Sequence, residues 1–390
     1  MHGLDPPTVD HDVPAALGIV LDGMVARFLD EARTVDDDFA ADIAGRVVSF
    51  TLSGGRRRRS QLLWWSLRAC GGGRRETEPA LLAAAAVELI QTCALIHDDV
   101  MDGSPLRRGE PAVHASIDAQ YETAGRPRPC ATFGRSAAIL AGDLALAWAD
   151  DVFMEALLKS PYATKLGRQW RALRSEMVAG QYLDLRSQVT DARSAARAVR
   201  TAVLKTARYS VVHPLVLGAR LAGAGEGVVQ ALGQVGLGAG LAFQLHDDLQ
   251  GVFGDPATTG KPAGEDLRDG KATYLLAVGR LLCARQGDAE GLRMLETVVG
   301  SAGATDRQLR EVTELLAGHG ARDHVEARIR RLCARAVGTL RATALDQDPT
   351  ERLARILLDA AGVEPTASAA RTTHSGPPPR RAAATMEGAR

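Results

Sequence analysis

The feature that most limits how this chain can fold is the run PALLAAAAVELIQTCALI, residues 79–96. It is rich in alanine and leucine, nearly free of charge, and opens on a proline. Alanine and leucine are among the strongest helix formers, and proline is tolerated in the first turn of a helix. A helix that is apolar on most of its faces has to be buried among others. RSAAILAGDLALAWADDVFMEALL and VVQALGQVGLGAGLAFQLHDDL read the same way, and alternating strand-like stretches are hard to find. Aromatic residues make up only 4% of the chain while apolar residues reach 46%, which favours helix over sheet and is enough for a substantial core. The expected fold class is all-α: one helical domain over residues 15–362. The polar residues 1–14, with Pro6, Pro7 and Pro14, and the Pro/Ala/Arg-rich tail 363–390 are expected to be disordered.

The bulk chemistry narrows the function. Forty-seven basic and 47 acidic residues give a formal net charge of zero, so no nucleic-acid or anionic-membrane partner follows from charge. Five cysteines (Cys70, Cys93, Cys130, Cys283, Cys333) are scattered, with no CxxC pair, which argues against a disulfide framework and points to a reducing compartment. The first residues carry no signal-peptide pattern. No uncharged apolar run reaches the roughly 18–20 residues that span a bilayer. A cytoplasmic protein without a transmembrane segment is the expectation.

The apolar run ends in HDDVMDGSPLRRGEP. A helix turns about 100° per residue, so Asp98 and Asp102 share a face, with Asp99 beside them. Carboxylates crowded at a helix C-terminus repel one another and the helix dipole. A solvated acidic helix end is the plainer reading. Arg107 and Arg108, brought back by a Gly-Ser-Pro turn, favour another: carboxylates that hold Mg²⁺ beside guanidinium forks that hold phosphate. A second apolar helix ends in Asp247 and Asp248, followed by a loop with Lys261 and Lys271. Gly251 stands where a third carboxylate would match Asp102. Two acidic helix ends with basic loops fit two walls of one cavity, with Mg²⁺ coordinating a single diphosphate. Upstream, SGGRRRRS (53–60) joins a glycine pair to four arginines; with no interleaved aromatics, a second diphosphate is the better expectation than nucleic acid.

These pieces resemble the trans-isoprenyl diphosphate synthase (polyprenyl synthetase) family over roughly residues 20 to 360. The motifs GGRRRRS, HDDVMDGSPLRRG, GQYLDL, KTARYS, FQLHDDLQGVFGD and GKPAGEDLRDGKAT stand in that family's order. The resemblance implies a helical bundle around a deep central cavity, a homodimer, and head-to-tail condensation of isopentenyl diphosphate with an allylic diphosphate. Carried over by motif, Asp98, Asp99, Asp102, Asp247 and Asp248 hold Mg²⁺. Arg107, Lys205, Lys261 and Lys271 contact the allylic diphosphate. Arg56, Arg59, Gln91 and Arg108 hold isopentenyl diphosphate. Lys205, Thr206 and Gln244 line the region where allylic cation character develops, and Gln181 and Asp184 lie near the metals. His97 is expected to make a structural hydrogen bond. Arg56 replaces a usual lysine. Ser60 stands where proline is common and is read as neutral, and Gly251 replaces the last aspartate of the second motif.

Product length is read from the residues before Asp98. Ala94, Cys93 and Ile90 lie four, five and eight positions back, each step worth about 1.5 Å of depth. In the family bulky aromatics at the first two positions stop growth at farnesyl, so small residues here imply a deeper pocket and geranylgeranyl diphosphate as main product. Farnesyl or longer products, including geranylfarnesyl, are the alternative. Two other classes stay open: a class I terpene cyclase, which needs no second diphosphate site, and a catalytically silent partner subunit, which would be expected to lose aspartates.

Overall fold

Alanine and glycine set how closely the helices of this chain approach one another. The computed structural model describes residues 4–123, 132–190, 194–255, 264–301 and 303–364. In chain order its helices are α1 (Pro6–His11), α2 (Val13–Val35), α3 (Asp37–Phe39), α4 (Gly45–Leu52), α5 (Arg58–Ala69), α6 (Arg74–Asp102), α7 (Val113–Thr123), α8 (Phe133–Leu158) and α9 (Ala163–Val189). They continue with α10 (Ala195–Ala202), α11 (His213–Leu221), α12 (Glu226–Phe253), α13 (Glu265–Arg268), α14 (Tyr274–Gln286), α15 (Ala289–Thr297), α16 (Asp306–Gly318), α17 (Ala321–Ala342) and α18 (Gln347–Ala360). Two π-helical segments, Ala40–Ala44 and Val203–Val212, join α3 to α4 and α10 to α11. Among the described residues the only strands are β1 (Leu106–Arg107) and β2 (Glu110–Pro111), an antiparallel pair. The expected all-α fold is what the chain adopts.

The apolar run of the sequence is α6, and it lies along α8. Both helices bury alanines, Ala83 to Ala86 on one and Ala138, Ala141 and Ala145 on the other, and small side chains let helix axes come close. Helix α12 threads both halves of the interior. Val229, Leu232, Val235 and Ala239 belong to the main core, whereas Leu241, Leu245, Leu249 and Val252 join an apolar cluster built with the C-terminal helices. Among the described residues α6 and α12 are also the two helices long and apolar enough to cross a membrane by composition; 83% and 50% of their apolar windows are buried inside the protein, as in core helices.

The segment Val203–Val212 is clasped between two glycines. A Cβ at Gly180 on α9 would lie 2.5 Å from the Lys205 backbone, and one at Gly240 on α12 would lie 2.5 Å from Ala207 Cα. Any larger residue would push this segment, with Lys205 and Thr206, out of place. π-helical turns are uncommon and concentrate at functional sites.

One expectation fails at the N-terminus. Residues read as disordered form α1 and the start of α2: Asp5 accepts the Thr8 amide at 3.0 Å, Asp12 accepts that of Ala15 at 3.0 Å, and Val9 and Val13 are buried. The Asp-Pro-Pro and Asp-Val-Pro patterns are N-caps followed by proline in the first turn, a helix start rather than a chain without structure. Asp10 then anchors α1 by accepting from Trp64 Nε1 at 2.8 Å and pairing with Arg68. The proposed tail from 363 lies, beyond Glu364, outside the described residues.

Candidate active site

The C-terminal ends of α6 and α12 line one cavity of about 610 Å³. Asp98 comes from α6, Asp184 from α9, Lys205 from the π-helical segment, and Gln244, Asp247 and Asp248 from α12; Asp266 on α13 and Lys271 just after it complete the rim. Helix α6 stops here because Gly103 takes the left-handed conformation, φ +64°, that caps a helix. The β1–β2 hairpin then brings Arg107 back onto the helix end, where its Nε donates to Asp99 Oδ1 at 2.7 Å and its Nη2 to Asp98 Oδ2 at 3.2 Å. Lys205 Nζ bridges Asp98 at 3.2 Å and Asp184 at 2.6 Å, and Gln181 donates to Asp98 at 2.9 Å. Thr206 donates to Gln244 Oε1, and the Gln244 amide donates to Asp248 Oδ1 at 2.8 Å.

The three aspartates of the first motif are not equivalent. Asp99 is 1% exposed and turned to Arg107 instead of lining the cavity. Burial pushes its carboxyl above the usual range, while Arg107 opposes the shift. Burial also pushes Asp98 up, but Lys205 and Arg107 outweigh it and hold Asp98 below the usual carboxylate range. Asp102 is pushed up by burial and by Asp98. On the second wall burial pushes Asp248 up to about 8, Asp266 and Asp247 adding to it and the Gln244 hydrogen bond opposing. Asp99 Oδ2 and Asp102 Oδ1 are buried without a hydrogen-bond partner. Asp102, one turn beyond Asp98, does not line the cavity either; its unpartnered oxygen, beside a cavity walled by Asp98, Asp184, Asp247, Asp248 and Asp266, fits a hard divalent cation such as Mg²⁺.

Gly251 has a structural reason. A Cβ there would lie 2.0 Å from Asp266 Oδ2, and the Gly264 amide donates to the Gly251 carbonyl at 3.1 Å. The chain after α12 therefore docks against Gly251 and brings a carboxylate to the place the second motif lacks. Lys271 pairs with Asp266 at 3.1 Å; burial pulls its ammonium down, and Asp266 and Asp102 more than compensate, leaving it raised. Lys261 lies outside the described residues.

A second cavity of about 330 Å³ shares Asp98, Lys205 and Asp247 with the first and is mostly apolar. Cys93, Ala94, Met177, Val178, Tyr182 and Phe243 are among its walls. Burial pushes the Cys93 thiol up to about 12, with Asp143 adding to it, so this wall is neutral. His97 Nε2 meets the Ile139 carbonyl at 3.0 Å, the structural hydrogen bond expected of it. Ile90, expected as a deeper wall, is fully buried in the main core and does not line this cavity. Its side of α6 faces neighbouring helices.

A third cavity of about 260 Å³ shares Arg59, Gln91, Ser210 and Phe243 with the shaft. Arg56, Arg59, Gln91 and Arg108, the residues expected to hold a second diphosphate, all line it. Gly54 and Gly55 have φ of +98° and +106°, open to glycine alone, and Arg108 Nη1 donates to the Gly54 carbonyl at 3.0 Å. Arg59 Nη2 donates to Ser210 at 2.7 Å and its Nε is buried without a partner. Sequence reasoning missed two acids here. Asp359 on α18 pairs with Arg58 at 2.7 Å and Arg56 at 3.4 Å. Glu88 is buried against Arg57 and Ser60, so Ser60 is not neutral as expected. A lone glutamate inside the apolar run 79–96 was the available signal.

The polyprenyl synthetase family model matches residues 42–316. Geranylfarnesyl diphosphate synthase of Aeropyrum pernix is 32% identical over 280 residues, 71% of this chain and 80% of that protein. (2E,6E)-farnesyl diphosphate synthase of Mycobacterium bovis is 32% identical over 273 residues, 69% of this chain and 70% of that one. Among solved structures, geranylgeranyl pyrophosphate synthase from Corynebacterium glutamicum, complexed with isoprenyl diphosphate and magnesium, superposes with a TM-score of 0.82 at 35% identity, covering 88% of this chain and 98% of that one. With its helical fold, its paired aspartates on one cavity and these relatives, the chain belongs to the polyprenyl synthetase family of trans-isoprenyl diphosphate synthases and is a prenyl-transferring enzyme.

Proposed function

We propose that the protein condenses isopentenyl diphosphate head-to-tail with an allylic diphosphate, using Mg²⁺, and that its main product is geranylgeranyl diphosphate. One observation carries this reading: an acidic cavity, an apolar shaft and an arginine-lined pocket lie side by side and share lining residues. In this reading Asp98 on one wall, with Asp102 one turn beyond it on α6, and Asp247 and Asp248 on the other would hold the metal, with Asp99 holding Arg107 in place. Bound there, Mg²⁺ supplies preorganised positive charge for the departing diphosphate. Arg107, Lys205 and Lys271 add charge that is already positioned by their carboxylate partners. Thr206 donates a hydrogen bond to Gln244, which leaves the lone pairs of its own oxygen to face the carbon that becomes cation-like. Arg56, Arg59 and Arg108 orient isopentenyl diphosphate so that its double bond attacks that carbon. The apolar shaft keeps water from quenching the cation. Among the described residues that line the shaft His97 is the one histidine, and it is engaged by Ile139, so the released diphosphate is the base of this scheme.

Small side chains at Ala94 and Cys93 on the shaft wall support a product longer than farnesyl. Exposed Phe133, Ile139, Leu140, Met154 and Leu158 on α8 support a homodimer that covers this face. The described cysteines, Cys70, Cys93, Cys283 and Cys333, are free thiols, in keeping with a cytoplasmic location. Incubation with labelled isopentenyl diphosphate, Mg²⁺ and each allylic primer, followed by product sizing, tests the reading. Linear geranylgeranyl diphosphate is expected; a cyclised hydrocarbon, or no elongation with any primer, would refute it.

A further inference from the structure

Five arginines, Arg56 to Arg59 and Arg108, line the basic pocket, and among its described lining residues Glu88 is the one carboxylate. We propose that Glu88 is a positioning residue for this pocket: clamped between Arg57 and Ser60, it withdraws Arg57 from the ligand and pins the turn that aims Arg59 and docks Arg108. The proposal rests on reading the pocket as the isopentenyl diphosphate site.

Glu88 is 7% exposed and both its oxygens are used: Oε2 accepts from Arg57 Nη1 at 2.7 Å and Oε1 from Ser60 Oγ at 2.5 Å. The other Arg57 nitrogen, Nη2, donates to the Thr51 carbonyl at 2.6 Å. Thr51 is in turn hydrogen bonded to Thr92, one turn beyond Glu88 on α6, at 3.0 Å. Arg57 is thus tied to two helices, α4 and α6, and its backbone takes φ +47°, ψ 32°, a left-handed conformation that non-glycine residues avoid unless something holds them there. That turn starts α5 and so sets where Arg58 and Arg59 point. It also fixes the preceding glycines, against which Arg108 packs: a Cβ at Gly55 would lie 3.2 Å from Arg108 Nη2.

Charge makes the same assignment. Burial pulls the Arg108 guanidinium below its ordinary range, Arg57 adds to the shift, and Glu88 opposes it. Four consecutive arginines crowd one another unless part of their charge is taken up. Asp359 is exposed and can release Arg56 and Arg58 to a ligand. Glu88 is buried and holds Arg57 permanently, because separating a buried pair leaves an uncompensated charge. Arg57 is therefore structural, and Arg59 and Arg108 are left to meet the diphosphate. Ser60 suits this arrangement because its hydroxyl, which proline would lack, reaches the second oxygen.

The test is steady-state kinetics on the full chain, with each substrate varied in turn. Glu88→Gln keeps the shape and removes the charge. It is expected to raise KM for isopentenyl diphosphate about tenfold while KM for the allylic primer and kcat stay within about twofold, and Glu88→Asp should recover most of the loss. Ser60→Ala, which leaves the ion pair intact, should shift the same KM by about threefold and serves if Glu88→Gln does not fold. Equal changes in both KM values, or none, would overturn the proposal. Arg108→Gln is the reference: if it too leaves KM for isopentenyl diphosphate unchanged, the assignment of the pocket itself fails, and the role of Glu88 with it.

Discussion

The carboxylate of Asp266 occupies the space beside Gly251: a Cβ on residue 251 would lie 2.0 Å from Asp266 Oδ2. The substitution that departs from the family's second motif is thus matched by an acid from α13 that lines the same cavity.

A variant that restores the motif should therefore fail to improve the enzyme. Gly251→Asp is expected to lower kcat/KM about tenfold or more, because overpacking costs about 1–3 kcal/mol and two carboxylates would collide. Gly251→Asp combined with Asp266→Gly should recover most of it. Initial rates of the two variants beside the wild type decide the matter; a faster single variant would show that Asp266 does not fill that place.

Ala94→Phe should shorten the product. The ring would enter the apolar shaft next to Cys93, one turn below Asp98. Farnesyl diphosphate is expected to replace geranylgeranyl diphosphate as the main species on product sizing. An unchanged product spectrum would mean that this wall does not limit growth. Ile90→Phe should instead destabilise the fold, since Ile90 is fully buried in the core.

Away from the cavity, Glu176 sets a pH dependence. It accepts from Arg208 Nη2 at 2.8 Å and lies 2.8 Å from His213 Nε2. Burial alone would push its carboxyl up, but His213 and Arg208 outweigh this and bring it down to about 2 from an ordinary 4.5. A depressed carboxylate contributes stability above its unfolded value, and that contribution drains away as pH falls from about 4.5 towards 2. Melting temperatures from pH 7 down to about 3 should therefore fall less steeply for Glu176→Gln than for the wild type. Parallel curves would contradict the assignment.

The acidic helix ends and the arginine loop were legible in the sequence because their chemistry is local. Asp98 and Asp102 share a face by helical period alone, and Asp247 and Asp248 close an apolar run. That both ends line one cavity needed only two long helices packed in one bundle. What was not legible depends on partners distant in the chain. Glu88 and Ser60 are 28 residues apart, and only packing reveals that the serine is needed. Asp99 looks equivalent to its neighbours until Arg107 is seen to claim it. The N-terminal helices were not legible because a polar, proline-rich stretch has the same composition whether or not Asp5 and Asp12 cap the turns that follow. Ile90 was placed on the shaft by counting turns, yet depth along a helix does not say which side faces the hollow.

Diffraction at the manganese edge from crystals soaked in Mn²⁺ and inorganic pyrophosphate tests the central claim most directly. Anomalous peaks should stand beside Asp98 or Asp102 and beside Asp247 or Asp248, bridged by one pyrophosphate that also meets Lys205. Peaks confined to one wall, or pyrophosphate and metal on separate faces of the protein, would contradict the account.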